Sequence, residues 1–141
     1  MKKILFLLSI VSALSFNGTA YASETYCVST PLHIVDGSDV SADWKITSAL
    51  SRKPQIPGQQ KPTTGCSNNW NSLGAFYKPI EIIQKPKLGS AKIGPRYRIF
   101  YSSNKVGNDE LVVRIHWVAG TTTQLSSAIV RYHIIVFDHS L

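Results

Sequence analysis

Two segments near the C-terminus alternate apolar and polar residues with a period of two, the pattern of a β-strand that buries one face. The apolar face of residues 109–118 consists of Leu111, Val113, Ile115 and Trp117, and that of residues 127–138 consists of Ala128, Val130, Tyr132, Ile134 and Val136. No long amphipathic helix fits this spacing, because helical neighbours recur every three or four residues. We therefore predict two long strands whose apolar faces belong to the core.

Shorter β-favouring runs precede these strands at roughly ten-residue spacing, with turn residues between them. Residues 76–141 therefore predict regular strands in a sandwich or barrel, and residues 23–141 suit one domain with a single core. The fold class that we predict is all-β.

Residues 23–75 predict a less regular part of the domain. Residues 26–35 favour a first strand, whereas residues 42–50 fit either a strand or one or two helical turns. Residues 51–71 predict a long loop, because prolines there oppose a helix or a central strand. These prolines are Pro54, Pro57 and Pro62.

Three short motifs precede the last strand: Pro86-Lys87-Leu88-Gly89, then Tyr101-Ser102-Ser103, then Gly107-Asn108-Asp109-Glu110-Leu111. Over residues 80–138 this order resembles the repeats of bacterial immunoglobulin-like or cadherin-like modules, which tend to run Pro-x-x-Gly, Tyr-x-Pro, Gly-x-Asp-x-Phe and a valine-rich strand. The chain departs from that pattern at Ser103 and Leu111. The resemblance implies an immunoglobulin-like β-sandwich with an adhesive or binding role. Calcium binding is not carried over from these modules, since no acidic run is present.

The motif residues also have a structural interpretation of their own. Gly89 and Gly107 suit turn geometry, and Asp109 can accept hydrogen bonds from the backbone of its own turn. Tyr101 offers a buried ring with a polar tip. We interpret all four as residues that form the fold.

The N-terminus has the three-part layout of a secretory signal peptide over residues 1–22. Lys2 and Lys3 precede an apolar run, and Ala20-Tyr21-Ala22 places small residues for cleavage before Ser23. The apolar run is about 13 residues, short of the roughly 20 that span a bilayer. We expect a periplasmic or secreted protein with no transmembrane segment after cleavage.

An exported chain with two cysteines favours a disulfide between them. Cys27 and Cys66 are these cysteines, and the bond would stabilise the N-terminal part by roughly 3–4 kcal/mol on the chain-entropy model. A reactive thiol or metal pair is the alternative, but the close C-x-x-C spacing of such sites is missing.

The formal net charge is +7 and becomes +5 once Lys2 and Lys3 are removed with the signal peptide. A basic balance favours an anionic envelope polymer, or an envelope or surface protein, as partner, although a solvated surface also accounts for it. Export argues against nucleic acid. The residues that we predict to bind are Trp44, Trp70, Tyr77, Arg96 and Arg98. Trp70 has a second interpretation as the lid of a small core beside the disulfide.

No motif predicts catalysis, a cofactor or a metal. His116 and His133 lie on the outer faces of two predicted neighbouring strands, and a zinc site there would need a third ligand such as Asp138 or His139. The acidic residues fall mostly in predicted turns rather than as a pair across a cleft. We therefore predict a non-catalytic binding module, with an inhibitor or immunity-type protein as the alternative and a small hydrolase as the less favoured one.

Overall fold

The computed structural model describes residues 26–52, 66–70, 73–119 and 123–141; the predicted signal peptide and residues 53–65 of the predicted loop lie outside these ranges. The described residues contain eight strands and no α-helix, which confirms the all-β fold class. The strands are β1 (Cys27–Ser29), β2 (Asp39–Thr47), β3 (Cys66–Asn69), β4 (Glu81–Gln84), β5 (Ser90–Gly94), β6 (Arg98–Ser102), β7 (Gly107–Val118) and β8 (Leu125–Phe137).

The strands form a five-stranded sheet of order β1-β2-β8-β7-β4 and a three-stranded sheet of order β3-β6-β5. The antiparallel pair of β7 and β8 is the longest, and its register runs from Gly107 opposite Val136 to Val118 opposite Leu125. β2 lies parallel to β8 on the other side. The three-stranded sheet is wholly antiparallel.

One hydrophobic cluster draws residues from both sheets and gives the fold a sandwich-like core. All nine residues of the two predicted apolar faces are at most 5% exposed, which confirms the alternation argument. The three-stranded sheet contributes Ile99, Tyr101 and Cys66 to the same cluster. Each large apolar side chain buried in this way stabilises the fold by about 1.5–3 kcal/mol.

The N-terminal part, which we predicted to be less regular, contains one long interior strand. β2 pairs with β1 on one side and with β8 on the other. Its alternation points Ala42, Trp44 and Ile46 into the core. From the sequence, residues 42–50 fit either a strand or a helix. They form a strand because pairing with the edge of β8 satisfies the backbone hydrogen-bonding groups of both segments.

Part of the predicted loop is also a strand. β3 pairs antiparallel with β6, from Cys66 opposite Tyr101 to Asn69 opposite Arg98. Its sequence is polar, so the pattern of apolar residues did not indicate a strand there. An edge strand tolerates polar side chains, since its ladder uses backbone groups and only one of its faces is buried.

The predicted disulfide between Cys27 and Cys66 is present, with the two Cα atoms 5.3 Å apart. Cys27 belongs to β1 and Cys66 to β3, so the bond joins an edge strand of each sheet. It therefore restrains the two sheets against each other as well as the intervening chain.

A second connection between the sheets is made by Asp109 near the start of β7. Its carboxylate accepts the backbone N–H groups of Lys87, Leu88 and Gly89 at 2.8–3.0 Å and the Tyr101 hydroxyl at 2.8 Å. It also accepts the Glu110 N–H of its own strand at 2.9 Å. Its other backbone donors lie in the turn before β5, rather than in its own turn as we predicted. The three sequence motifs therefore meet at one carboxylate.

Burial acts to raise the pKa of Asp109, but hydrogen bonds from Gly89, Lys87 and Tyr101 outweigh it and hold this pKa below its usual range. The pKa of Tyr101 is raised, because its hydroxyl is buried and donates to a carboxylate. Gly89 is needed for space rather than for turn geometry: an added Cβ would lie 2.6 Å from the Ser102 carbonyl oxygen and would collide with Tyr101.

Candidate functional site

Trp44, which the sequence suggests as a binding residue, lies in the core. Its side chain is 0% exposed, its ring centroid is 4.2 Å from that of Tyr132, and its Nε1 donates to Oγ of Ser29 at 2.9 Å. A side chain with no accessible surface cannot contact a partner. The binding role predicted for Trp44 is therefore corrected to a structural one, because the alternation of β2 turns it inward.

Trp70 is 5% exposed and belongs to the hydrophobic cluster. It directly follows β3, four residues after the disulfide-bonded Cys66. This placement supports the lid interpretation, in which the ring closes the core beside the disulfide, over an interface anchor.

Tyr77 is 37% exposed, and its hydroxyl lies 3.4 Å from Nδ1 of His116. Nε2 of the same histidine lies 3.2 Å from Oε1 of Glu81, whose Oε2 is 3.6 Å from Nη1 of Arg114. These contacts tie the segment before β4 to the five-stranded sheet. The polar tip of Tyr77 is therefore engaged within the protein.

The two strand histidines do not meet. His116 lies opposite Ser127 in the ladder, whereas His133 lies opposite Glu110, six positions further along β7. At roughly 3.3 Å per residue this separates them by about 20 Å. Within the described ranges, no group of three or more His, Cys, Asp or Glu side chains is placed to hold a metal ion.

Charged residues divide unequally between the two sheets. The strands of the five-stranded sheet carry five acidic residues (Asp39, Asp43, Glu81, Asp109 and Glu110) and three basic ones (Lys45, Arg114 and Arg131). The three-stranded sheet, with the 95–97 connection between β5 and β6, carries Lys92, Arg96 and Arg98 and no acidic residue. The formal charges are therefore −2 and +3.

The carboxylates of the five-stranded sheet mostly have partners. Asp39 binds Arg131 through two contacts of 2.9 Å, and this hydrogen bonding lowers the pKa of Asp39. Glu110 accepts the side-chain amide of Gln84 at 2.7 Å. By contrast, the three cations of the other sheet form no ion pair with any residue of the described ranges.

We name as the basic face the outer surface formed by Lys92, Arg96, Tyr97, Arg98 and Phe100. Lys92 is the cross-strand partner of Phe100, and Arg98 precedes Phe100 by two positions on the same side of β6. The Lys92 Nζ and the Arg98 Cζ lie 5.7 and 6.0 Å from the Phe100 ring centroid, within cation–π distance. Lys92 and Arg98, two like charges, thus lie near the same Phe100 ring, and neither forms an ion pair with a carboxylate of the described residues.

The connection Pro95–Tyr97 is a short 3-10 turn with strained backbone. Arg96 has φ 55° and ψ 39°, and Tyr97 has φ 53°. Left-handed conformations of non-glycine residues cost about 1–2 kcal/mol each and occur often at functional sites. The Tyr97 ring stacks on Phe76 at 3.9 Å with planes 13° apart, which braces the turn. Arg96 is thereby held exposed at the end of the basic face.

Of the predicted binding residues, Arg96 and Arg98 are exposed cations of the basic face, whereas Trp44 and Trp70 are buried and the Tyr77 hydroxyl contacts His116. Lys92 and Phe100 belong to the same face but were not among the residues predicted to bind. The alternation of β6 could have indicated Phe100, because Ile99 and Tyr101 on either side of it point into the core. Lys92 joins this face only through the register of β5 with β6.

No protein-family model, curated protein or solved structure matches this chain. Any functional assignment therefore depends on the geometry of its own residues. No helix in residues 26–52, 66–70, 73–119 and 123–141 has the length and apolar character required to cross a membrane.

Proposed function

We propose that this protein is an exported, non-catalytic binding module that holds an anionic partner on its basic face. The observation that carries the proposal is the charge segregation: three cations and no acid on the three-stranded sheet with its 95–97 connection, against a net negative charge on the strands of the other sheet. Scattered surface charges would favour no side of the molecule. A one-sided positive field attracts anions and orients them toward that side.

Export is supported by the disulfide and by the predicted signal peptide. Such bonds persist in oxidising compartments, and both cysteines of the chain take part in this one. The proposed location is the periplasm or the extracellular space. The partner is then an anionic envelope polymer, or an acidic protein of the envelope or surface.

An immunoglobulin-like architecture is part of the proposal. If β2 to β8 are taken as strands A to G, then β3, β6 and β5 match the B-E-D group of the immunoglobulin sandwich and β4, β7 and β8 match its C-F-G group. The first strand of the series departs from the constant-type pattern by pairing with the last one. Such sandwiches serve as scaffolds for binding surfaces, and the inference of binding by this route is one of analogy.

We propose that the protein is not catalytic, because its most closely spaced titratable side chains hydrogen-bond to groups that hold the fold together. Asp109 organises the turn before β5, and His116 is held between Tyr77 and Glu81. A surface hollow lined partly by Asp109, Glu110 and His133 therefore gathers carboxylates that already accept hydrogen bonds.

The test is a charge reversal with a matched control. The variant Lys92→Glu/Arg96→Glu/Arg98→Glu and the control Lys45→Glu/Lys78→Glu/Lys85→Glu each lower the net charge by six, and all three control lysines are exposed and lie outside the basic face. We expect only the first variant to lose cross-linked partners from envelope and culture fluid. Equal loss in both variants, or no loss in either, contradicts the proposal.

The braced turn at 95–97 favours a second function, a specific inhibitor or immunity-type protein. Such a protein benefits from a rigid, preorganised projection, because little conformational entropy is then lost on binding. The same capture experiment distinguishes the two. One exported enzyme recovered stoichiometrically through Arg96 indicates the inhibitor, whereas recovery of polymer indicates the binding module.

A further inference from the structure

The basic face continues into hydroxyl-bearing residues. Ser67 on β3 is the cross-strand partner of Phe100, and Ser90 on β5 that of Ser102. Directly opposed residues share a face of the sheet. A surface hollow of about 340 Å³ follows, lined partly by Ser90, Ser102 and Lys105. Cations and hydroxyl groups thus form one track along β6, and its span from Arg98 to Ser102 is about 13 Å.

A track of this length suits an extended ligand rather than a single small anion. Two of its positive charges, those of Lys92 and Arg98, lie within 6.0 Å of the Phe100 ring centroid, and Lys105 adds another in the lining of the hollow. Between them lie hydroxyl groups, which can donate to and accept from neutral polar groups. The matching ligand carries repeated negative charges separated by hydroxyl groups.

A second copy of this chain fits the track poorly. The sheet with net negative charge would have to supply the anions, but four of the five acidic side chains on its strands, those of Asp39, Glu81, Asp109 and Glu110, already have partners. Asp43 alone would then face three cations. A lipid surface also fits poorly, because insertion would require exposed aliphatic side chains on this face. The most exposed ones lie on other elements: Val28, Val35, Leu50, Ile83, Val106 and Leu125.

An acidic peptide is the remaining competitor. A peptide strand added to the edge of β5 would lie beside Lys92, but one strand further from Arg98, which belongs to β6. If the peptide lay across the face instead, its backbone N–H and C=O groups would mainly meet side chains, and not the backbone of a strand. The observed arrangement of groups favours a ligand whose own polar groups are hydroxyls.

We infer that the basic face binds an acidic polysaccharide, with carboxylate groups against Lys92, Arg96 and Arg98 and sugar hydroxyl groups against the serines. This inference rests on the proposed function and names its ligand class. Tyr97 adds an aromatic surface beside Arg96, since the residue remains 37% exposed while its ring stacks on Phe76. A sugar ring packs its C–H groups on such a surface.

The experiment uses the protein produced with its own N-terminal segment and purified with its disulfide intact. Calorimetric titration measures the binding of hexagalacturonate, with maltohexaose as the uncharged sugar and vesicles of anionic phospholipid as the other anionic surface. We expect hexagalacturonate to bind and maltohexaose not to bind. The triple reversal of Lys92, Arg96 and Arg98 should weaken binding by roughly 100-fold, whereas the control triple should not.

Tyr97→Asn isolates the sugar contact from the charge. Asparagine tolerates the left-handed backbone and removes the ring without changing the charge. We expect it to weaken hexagalacturonate binding by roughly twofold to tenfold and to leave retention on a cation exchanger unchanged. Tyr77→Asn is the matched control, because Tyr77 is equally exposed and contacts His116 instead.

The outcomes separate the two proposals. If vesicles or an acidic protein bind through the three cations and hexagalacturonate does not, the polysaccharide inference is overturned and the proposed function stands. If the two triple variants behave alike with every probe, the proposed function fails as well. Salt-sensitive self-association without sugar binding, measured by sedimentation, also overturns the inference in favour of a second copy.

Discussion

Replacing Asp109 by asparagine tests whether one carboxylate connects the two sheets. Oδ2 accepts hydrogen bonds from Leu88, Gly89 and Tyr101, and Oδ1 accepts those of Lys87 and Glu110, so an amide oxygen can replace only one of these two acceptors. The amide nitrogen would face N–H or O–H donors at the other position. At least two charge-assisted bonds are then lost, each of about 1.5–3 kcal/mol.

Water reaches part of this site, because Asp109 is only half-buried, and it offsets some of the loss. We therefore expect Asp109→Asn to lower the free energy of unfolding by about 3 kcal/mol, which for a domain of this size lowers Tm by about 10 °C. Thermal unfolding followed by near-ultraviolet circular dichroism measures the change. Asp39→Asn is the control: it removes the same charge from an exposed ion pair, and such pairs contribute little.

The pH dependence gives an independent readout. Because the folded-state pKa of Asp109 lies below its usual value, its contribution is present above about pH 5 and is lost as pH falls through the folded-state pKa. The gap in stability between the wild type and Asp109→Asn should therefore narrow below about pH 4. Equal Tm values for Asp109→Asn and Asp39→Asn at neutral pH, or a gap that does not change with pH, would refute this reasoning.

Three further changes test other parts of the fold. Replacing Cys27 and Cys66 by alanine should destabilise the protein by about 4 kcal/mol in urea unfolding, since the closed segment is about 40 residues long; an unchanged midpoint would contradict a role in restraining the chain. Gly89→Ala should cost about 2 kcal/mol, because its Cβ meets the Tyr101 ring, and a neutral result in the same assay would show that the contact relaxes freely. At position 96, Arg96→Gly should be more stable than Arg96→Ala by about 1 kcal/mol, the reverse of the usual order, because of the left-handed backbone. The usual order in thermal unfolding would argue against that conformation.

The alternation in β7 and β8 determined these strands from the sequence alone. A period of two with large apolar residues on one side has few alternatives, since each residue's face follows from its neighbours along the chain. The disulfide was predictable for a similar reason, because two cysteines leave one pairing. Leu111 and Val130 are fully buried, as the pattern requires.

Pairing with distant strands determined the structure of segments whose local sequence pattern was ambiguous. β2 was ambiguous and β3 was mistaken for loop, because each depends on a partner strand far along the chain, β8 and β6. Trp44 was predicted to bind a partner, and Trp70 either to bind or to cover a small core, but the sheets place both side chains inside.

The basic face is the clearest case of such dependence. In sequence the basic residues look scattered, and Lys92 is separated from Arg98 by a turn. The net charge of a surface depends on which residues the sheet brings together, and not on their order along the chain. Lys92 shares a surface with Arg98 only because the register of the β5–β6 hairpin places Lys92 opposite Phe100. The sequence by itself determined the fold class, the long core strands and the disulfide, because these follow from local periodicity and composition. The tertiary structure alone decided which charges share a surface, because that depends on contacts between distant strands.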